Sequence, residues 1–328
     1  MTSQSHPLST PANVRVVHHG AISLGQCARN ALKAHFKKAI KHESGVLKDV
    51  DPEAIHQMRV GLRRLRSTMR TFSDLLELPK AIQESVVKKI AGVLGAVRDL
   101  DVLIDTLSDR YRPRLPKSER KCLDRFLKTL RSDRHQQFKK VKKLLKHRSY
   151  KDFKEGFEQW LEQPQCSGMG GFSVQAALPD VLLPPLSQVL LHPAWLAGDR
   201  FLNSPIELDS LNRWLKTEGE VLHGLRKQMK QMRYQAEEFA EFYGSEYQQQ
   251  ATEFKQIQEL LGQLQDCWIL DQALTKGVGD RWFRKLPTLA AELRQERVDL
   301  WRDWLPLRQK YLTGEFREHL RSLISHPV

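Results

Sequence analysis

Four cations at helical spacing occur twice in this chain, at His56, Arg59, Arg63 and Arg66 and again at His223, Arg226, Lys230 and Arg233. Positions i, i+3, i+7 and i+10 fall within an arc of about 80° on an α-helix, so each set forms a stripe on one face. An apolar row runs one residue ahead of each stripe: Ile55, Met58, Leu62, Leu65, Met69 and Phe72 in the first copy, and Leu222, Leu225, Met229, Met232, Ala236 and Phe239 in the second. Such a row buries against other helices, which leaves the cations about 100° around from it, at the lip of a packed bundle. No acid stands inside either stripe; Glu237 and Glu238 come only at the end of the second. Neighbouring like charges on a helix repel, so this pattern asks for a negative partner from outside the helix.

The repeat is longer than the stripe. A shift of 167 positions pairs Lys88 with Lys255, Leu94 with Leu261, Gly95 with Gly262, Asp99 with Asp266 and Leu103 with Leu270. A shift of 163 then pairs Arg131 with Arg294, Arg134 with Arg297 and Phe153 with Phe316. Two copies of one large helical unit predict an all-α protein of two pseudo-symmetric helical-bundle halves, not a solenoid of many short repeats.

Helical periodicity places helices over 24–40, from Pro52 toward Phe72, over 80–107, 120–145 and 150–161, with Asp51 as N-cap and Pro52 at the first helical position. His42-Glu43-Ser44-Gly45 reads as a polar turn. Residues 1–20 read as a flexible tail without the apolar core of a secretory signal, 21–162 as the first half, 163–205 as a connector and 206–328 as the second half, frayed at its end. Glycine and proline punctuate the connector, although 181–191 has the pattern of a short helix. In-helix Gly95 and Gly262 imply a close helix crossing, since glycine there costs about 1 kcal/mol relative to alanine.

A net charge of +14 selects polyanions as partners without choosing among polyphosphate, nucleic acid and anionic membrane. Four scattered cysteines without a C-x-x-C pair fit reduced thiols in a cytoplasmic protein, and no apolar run is long enough for a membrane span. The densest charge cluster, Arg134, Lys139, Lys140, Lys142, Lys143 and Lys146, reads as a solvated face, with Lys142 and Lys143 adding long-range attraction only.

His56-Gln-Met-Arg59-Val-Gly-Leu-Arg63-Arg64-Leu-Arg66, followed by Leu94-Gly95-Ala-Val-Arg98-Asp99-Leu-Asp101-Val102-Leu103, resembles the CHAD family of conserved-histidine α-helical domains. The second copy is similar over His223–Tyr234 and Leu261–Leu270, and the resemblance covers roughly residues 21 to 325. It departs at Gln265 and Trp268, which replace the Arg98 and Asp101 types, and at Glu237, which stands where Arg70 extends the first stripe. The resemblance implies one module with a central basic channel that binds inorganic polyphosphate, and it extends the expected location from the cytoplasm to polyphosphate granules. The E-x-E-x-K strand of the CYTH domain that accompanies many relatives is absent from the sequence.

On this reading His56, Arg59, Arg63, Arg66 and Arg70 hold phosphates on one side, and His223, Arg226, Lys230, Arg233 and Tyr234 on the other. Arg131, Arg134, Arg294 and Arg297, recurring between halves, are candidates for a second wall. Arginine forks bridge two oxygens at once and stay charged at cellular pH. No P-loop, nucleophile elbow or H-E-x-x-H helix occurs, and Arg59 and Arg226 occupy the positions where a histidine would need a metal-sharing partner. Binding without catalysis, with neither cofactor nor metal, is the expectation. Two alternatives stay open: a nucleic-acid binder, for which nucleic acid would be more than a weaker competitor, and a phosphohydrolase using the two histidines. The scarcity of aromatics near the stripes, with Tyr234 the exception, weighs against the first.

Overall fold

The computed structural model describes residues 22–201 and 208–328; the expected N-terminal tail and residues 202–207 lie outside them. Among the described residues thirteen α-helices run in the order α1 Leu24–Ile40, α2 Glu43–Lys48, α3 Pro52–Thr71, α4 Glu84–Asp105, α5 Lys117–Lys146, α6 Arg148–Glu162, α7 Val174–Leu190, α8 Leu208–Glu218, α9 Glu220–Glu238, α10 Ser245–Val278, α11 Trp282–Lys285, α12 Pro287–Leu312 and α13 Gly314–Ser325. Among the described residues extended pairing is confined to two isolated bridges, Ser23 with Ser173 and Leu76 with Cys166. No helix there is long and apolar enough to cross a membrane.

The apolar rows read from the sequence are the core. Ile55, Met58, Leu62, Leu65 and Met69 of α3 and Leu222, Leu225, Met229, Met232 and Ala236 of α9 are all buried. Each large side chain removed from water contributes about 1.5–3 kcal/mol to holding its helix in place. α3 packs between α1 and α4, with α5 on the far side of α4, while α9 packs on α10 and α10 on α12. α3 also meets α9 directly, and where they end Phe72 and Phe239 touch edge to face, with ring centroids 5.9 Å apart.

Local chemistry fixes the helix starts. Asp51 accepts the Glu53 backbone N–H at 2.8 Å with Pro52 in the first turn, as the sequence predicts. The start of α12 takes its anion from a helix far away in sequence: Glu119 of α5, 4 % exposed, accepts the Thr288 N–H at 3.2 Å with both oxygens.

Three segments differ from expectation. The polar turn at His42 contains α2, whose Val46 is buried against the core. The connector contains α7, longer than the helix that 181–191 suggests and continuous through Pro179, Pro184 and Pro185. Leu178, Leu182, Leu186 and Val189 of α7 are buried at helical spacing, and that burial offsets the hydrogen bonds that the prolines remove. The chain's end is tied down: the Val328 N–H donates to the Phe242 carbonyl at 2.9 Å, and the Tyr243 hydroxyl donates to the Ile324 carbonyl.

Candidate functional site

The two cation rows converge. A cavity of about 480 Å³ is lined by His56, Arg59 and Arg63 from α3 and by His223, Arg226 and Lys230 from α9. Arg59, Arg63 and Lys230 also line an adjoining cavity of about 590 Å³ that continues to Arg66, Arg70 and Tyr234. Together they form a cleft that takes in both stripes except Arg233, which lines neither cavity.

The same device seats an arginine in both copies. A Cβ added to Gly95 of α4 would lie 3.2 Å from Arg59 Nε, and one added to Gly262 of α10 would lie 3.3 Å from Arg226 Nε. The in-helix glycines therefore admit a guanidinium laid across the neighbouring helix. The close approach expected at these positions is made by a side chain, while the tight backbone crossing lies elsewhere, at Gly61 of α3. A Cβ there would stand 2.6 Å from the Ala39 nitrogen of α1.

Tyr234 ties the two rows together. Its hydroxyl accepts from Arg63 Nη2 at 2.7 Å, and the guanidiniums of Arg63, Arg64 and Arg233 lie 5.8, 5.4 and 5.4 Å from its ring centroid. The ring is a clamp for cations, 9 % exposed, and offers no open face to a base. Loss of hydration brings the Arg63 guanidinium down to about 10; the Tyr234 oxygen opposes the shift, and Arg59, Arg226 and Arg233 reinforce it. Arg63 is still charged at neutral pH, and an anion arriving beside it would relieve both strains.

The histidines are tuned alike. Burial, followed by Arg98, holds His56 below the ordinary imidazole value, with Glu53 opposing. Burial, then Lys227 and Arg226, does the same for His223, opposed by a hydrogen bond with Gln265 and by Glu220. Both are neutral at pH 7 and gain a proton most readily when a negative group neutralises their neighbours.

Several stripe arginines have carboxylate partners. Glu84 at the start of α4 bonds Arg66 Nε and also accepts from Arg70 Nε at 3.0 Å. Glu237 accepts from Arg64 and from Arg233 Nε at 2.7 Å, and Arg233 Nη1 reaches Gln258 at 2.9 Å. By contrast, Arg59 has Asp99 at 3.4 Å, on a carboxylate 70 % exposed. Asp99 lines the 480 Å³ cavity together with Asp266 and Glu296, whereas among the described residues no carboxylate lines the adjoining one.

Arg131, Arg134, Arg294 and Arg297 lie outside both cavities of the cleft. Arg134 is bound to Asp49 at 2.6 Å and to Asp101 at 2.8 Å. Arg297, 5 % exposed, donates to Asn212 and to the Cys267 carbonyl, both at 3.1 Å. Arg294 reaches its own helix at the Ala290 carbonyl, and Arg131 is exposed. Lys139, Lys140, Lys142, Lys143 and Lys146 are also exposed.

The stripes alone miss Arg98, Lys88 and Lys227, which line the cleft. The signal was present for two of them: Lys88, Gly95 and Arg98 are seven and three residues apart, hence on one face of α4. Among the described residues, no three His, Cys, Asp or Glu side chains are grouped so as to hold a metal ion.

The family model described as CHAD domain matches residues 30–275. A comparison with curated protein sequences finds no match. Two solved structures are similar. The crystal structure of the CHAD domain from the plant Ricinus communis superposes with a TM-score of 0.60 at 21 % identity, covering 98 % of this chain and 99 % of that one. PptA from Streptomyces chartreusis gives 0.63 at 14 % identity, over 88 % and 99 %. With the family model spanning well over half of the sequence and the helical architecture shared end to end, the chain belongs to the CHAD domain family.

Proposed function

We propose that the protein binds inorganic polyphosphate in the cleft between α3 and α9. The observation that carries this reading is the convergence of His56, Arg59, Arg63, His223, Arg226 and Lys230 on one cavity. Anions of high charge density and no fixed shape are the natural ligands of such a surface, and a phosphate homopolymer needs no base-reading groups. The two stretches 21–162 and 206–328 act as an approximate duplication around one basic channel, an arrangement supported by the Arg59–Gly95 and Arg226–Gly262 seatings and by the meeting of Phe72 with Phe239. Binding without catalysis is the role, with His56 and His223 as donors to phosphate oxygens. A place in the cytoplasm, at polyphosphate granules, follows from that ligand.

Nucleic acid shares the phosphates and would compete, but Tyr234, the aromatic among the stripes, is closed in by three guanidiniums. The test is a titration with medium-chain polyphosphate at physiological salt, repeated with RNA and DNA as competitors. Polyphosphate should displace both; displacement of polyphosphate by a nucleic acid at equal phosphate concentration would overturn the reading.

A further inference from the structure

A third cavity, about 320 Å³, adjoins the cleft, because His223 and Gln265 line both. It lies under the α8–α9 turn, and its chemistry differs from that of the cleft. Leucines of α8, α9 and α10 supply apolar surface, and Trp268 of α10 is 37 % exposed beside them. Thr217 and Glu220 add a hydroxyl and a carboxylate. Lys216, the flexible cation at this cavity, is held by Asp271 at 3.0 Å, and Arg297 is committed to Asn212 and the Cys267 carbonyl.

The cavity exists where the second copy departs from the first. The position of Trp268 is filled in the first copy by Asp101, 6 % exposed and bound by Arg134 at 2.8 Å. With tryptophan at that place, Arg297, the counterpart of Arg134, has Asp271 at 3.9 Å and bonds Asn212 instead. Gln265 stands where Arg98 contributes a cation to the cleft. Both changes remove charge and add groups that bare polyphosphate has no use for. An indole gives a stacking face, and a primary amide both donates and accepts at the edge of a planar ring.

Resting on the reading of the cleft as a phosphate site, we propose that this cavity takes the nucleobase of a nucleoside 5′-polyphosphate whose phosphates enter the cleft past His223. Trp268 stacks on the base, Gln265 and Glu220 meet its polar edge, and Arg226 and Lys230 hold the phosphates. The volume is at the lower end of the range for small-ligand pockets, enough for a base and its sugar and too small for a folded nucleic acid.

The test compares ATP with tripolyphosphate, which carries the same number of phosphates, by calorimetric titration of the full chain. ATP should bind about tenfold more tightly, the range of one base–aromatic stack. Trp268→Ala should remove that advantage and leave tripolyphosphate affinity unchanged, while Trp268→Phe should retain most of it. ATP binding no tighter than tripolyphosphate, or an advantage that survives Trp268→Ala, overturns the proposal while sparing the phosphate reading. Loss of binding by both ligands would sink the two together; ATP binding that depends on Trp268 without tripolyphosphate binding would retain the base site and reject the phosphate one.

Discussion

His56 and His223 stand at the head of rows of fixed positive charge, and that placement sets the sign of their titration. In the free protein both are held below the ordinary histidine value, so the unfolded chain binds protons first as pH falls. Their contribution to stability is therefore complete above the unfolded value and is lost as pH drops through the folded one. A bound polyanion reverses the neighbouring field and raises both values, so binding takes up protons and tightens as pH falls from 7 toward 5. Melting curves with and without polyphosphate should diverge over that interval, the free protein losing stability and the complex gaining on it. The variant carrying His56→Gln and His223→Gln should show a flatter difference; an unchanged divergence would remove the histidines from the site. Glu84 acts at the other end as an internal counterion on Arg66 and Arg70. Partly exposed ion pairs are worth about 0.2–1 kcal/mol, so Glu84→Gln should raise long-chain affinity by up to about fivefold at low salt. Chains short enough to stay at the histidine end should not respond, which a length series of phosphate oligomers would check.

At the scale of the helix, two kinds of close approach have opposite consequences. In Gly95→Ala the new methyl meets the flexible guanidinium of Arg59, 3.2 Å away, while the helix gains about 1 kcal/mol of propensity. The expected result is a Tm unchanged or raised, with polyphosphate binding weakened by up to about tenfold as Arg59 is displaced from its seat. In Gly61→Ala the methyl meets the backbone of Ala39 at 2.6 Å, which has nowhere to go, and the overpacking should cost about 1–3 kcal/mol in a denaturant melt. A Gly95→Ala variant that loses stability and keeps its affinity would contradict the seating. Helix faces were legible in the sequence because burial repeats with the helical period: the rows from Ile55 to Phe72 and from Leu222 to Phe239 lie in the core as read. α7 was less so, since three prolines argue against a helix and only the leucines facing α9 and α13 outweigh them. The charged partners were not legible. Glu84 to Arg66, Tyr234 to Arg63 and Glu119 to Thr288 join positions that no local spacing relates, and only the packed fold brings them into contact.

For the whole molecule, the decisive fact is that the histidine ends of both stripes line one cavity. The first spans about 21 Å when Arg70 is included and the second about 15 Å from His223 to Arg233, at 1.5 Å per residue, yet their histidine ends are close enough to line the same 480 Å³ space. A phosphate oligomer lying there touches α3 and α9 at once, so one molecule should bind per chain, and damage to either stripe should reduce affinity without changing stoichiometry. Arg59→Ala with Arg63→Ala, and separately Arg226→Ala with Lys230→Ala, should each weaken short-chain binding by at least about tenfold, since hydrogen bonds to charged groups are worth about 1.5–3 kcal/mol. Long chains gain further contacts toward Lys88 and Lys227 as intramolecular events, and should lose less in proportion. The dependence of affinity on salt should shallow by about one unit of logarithmic slope for each phosphate contact removed, in both variants alike. Replacing the exposed pair Lys142 and Lys143 should lower only the association rate, because those charges act at a distance over the solvent and make no contact in the cleft. Two short oligomers bound per chain, or a stripe variant that halves the stoichiometry and keeps the affinity, would mean that α3 and α9 hold separate sites, and the single-cleft reading would have to be given up.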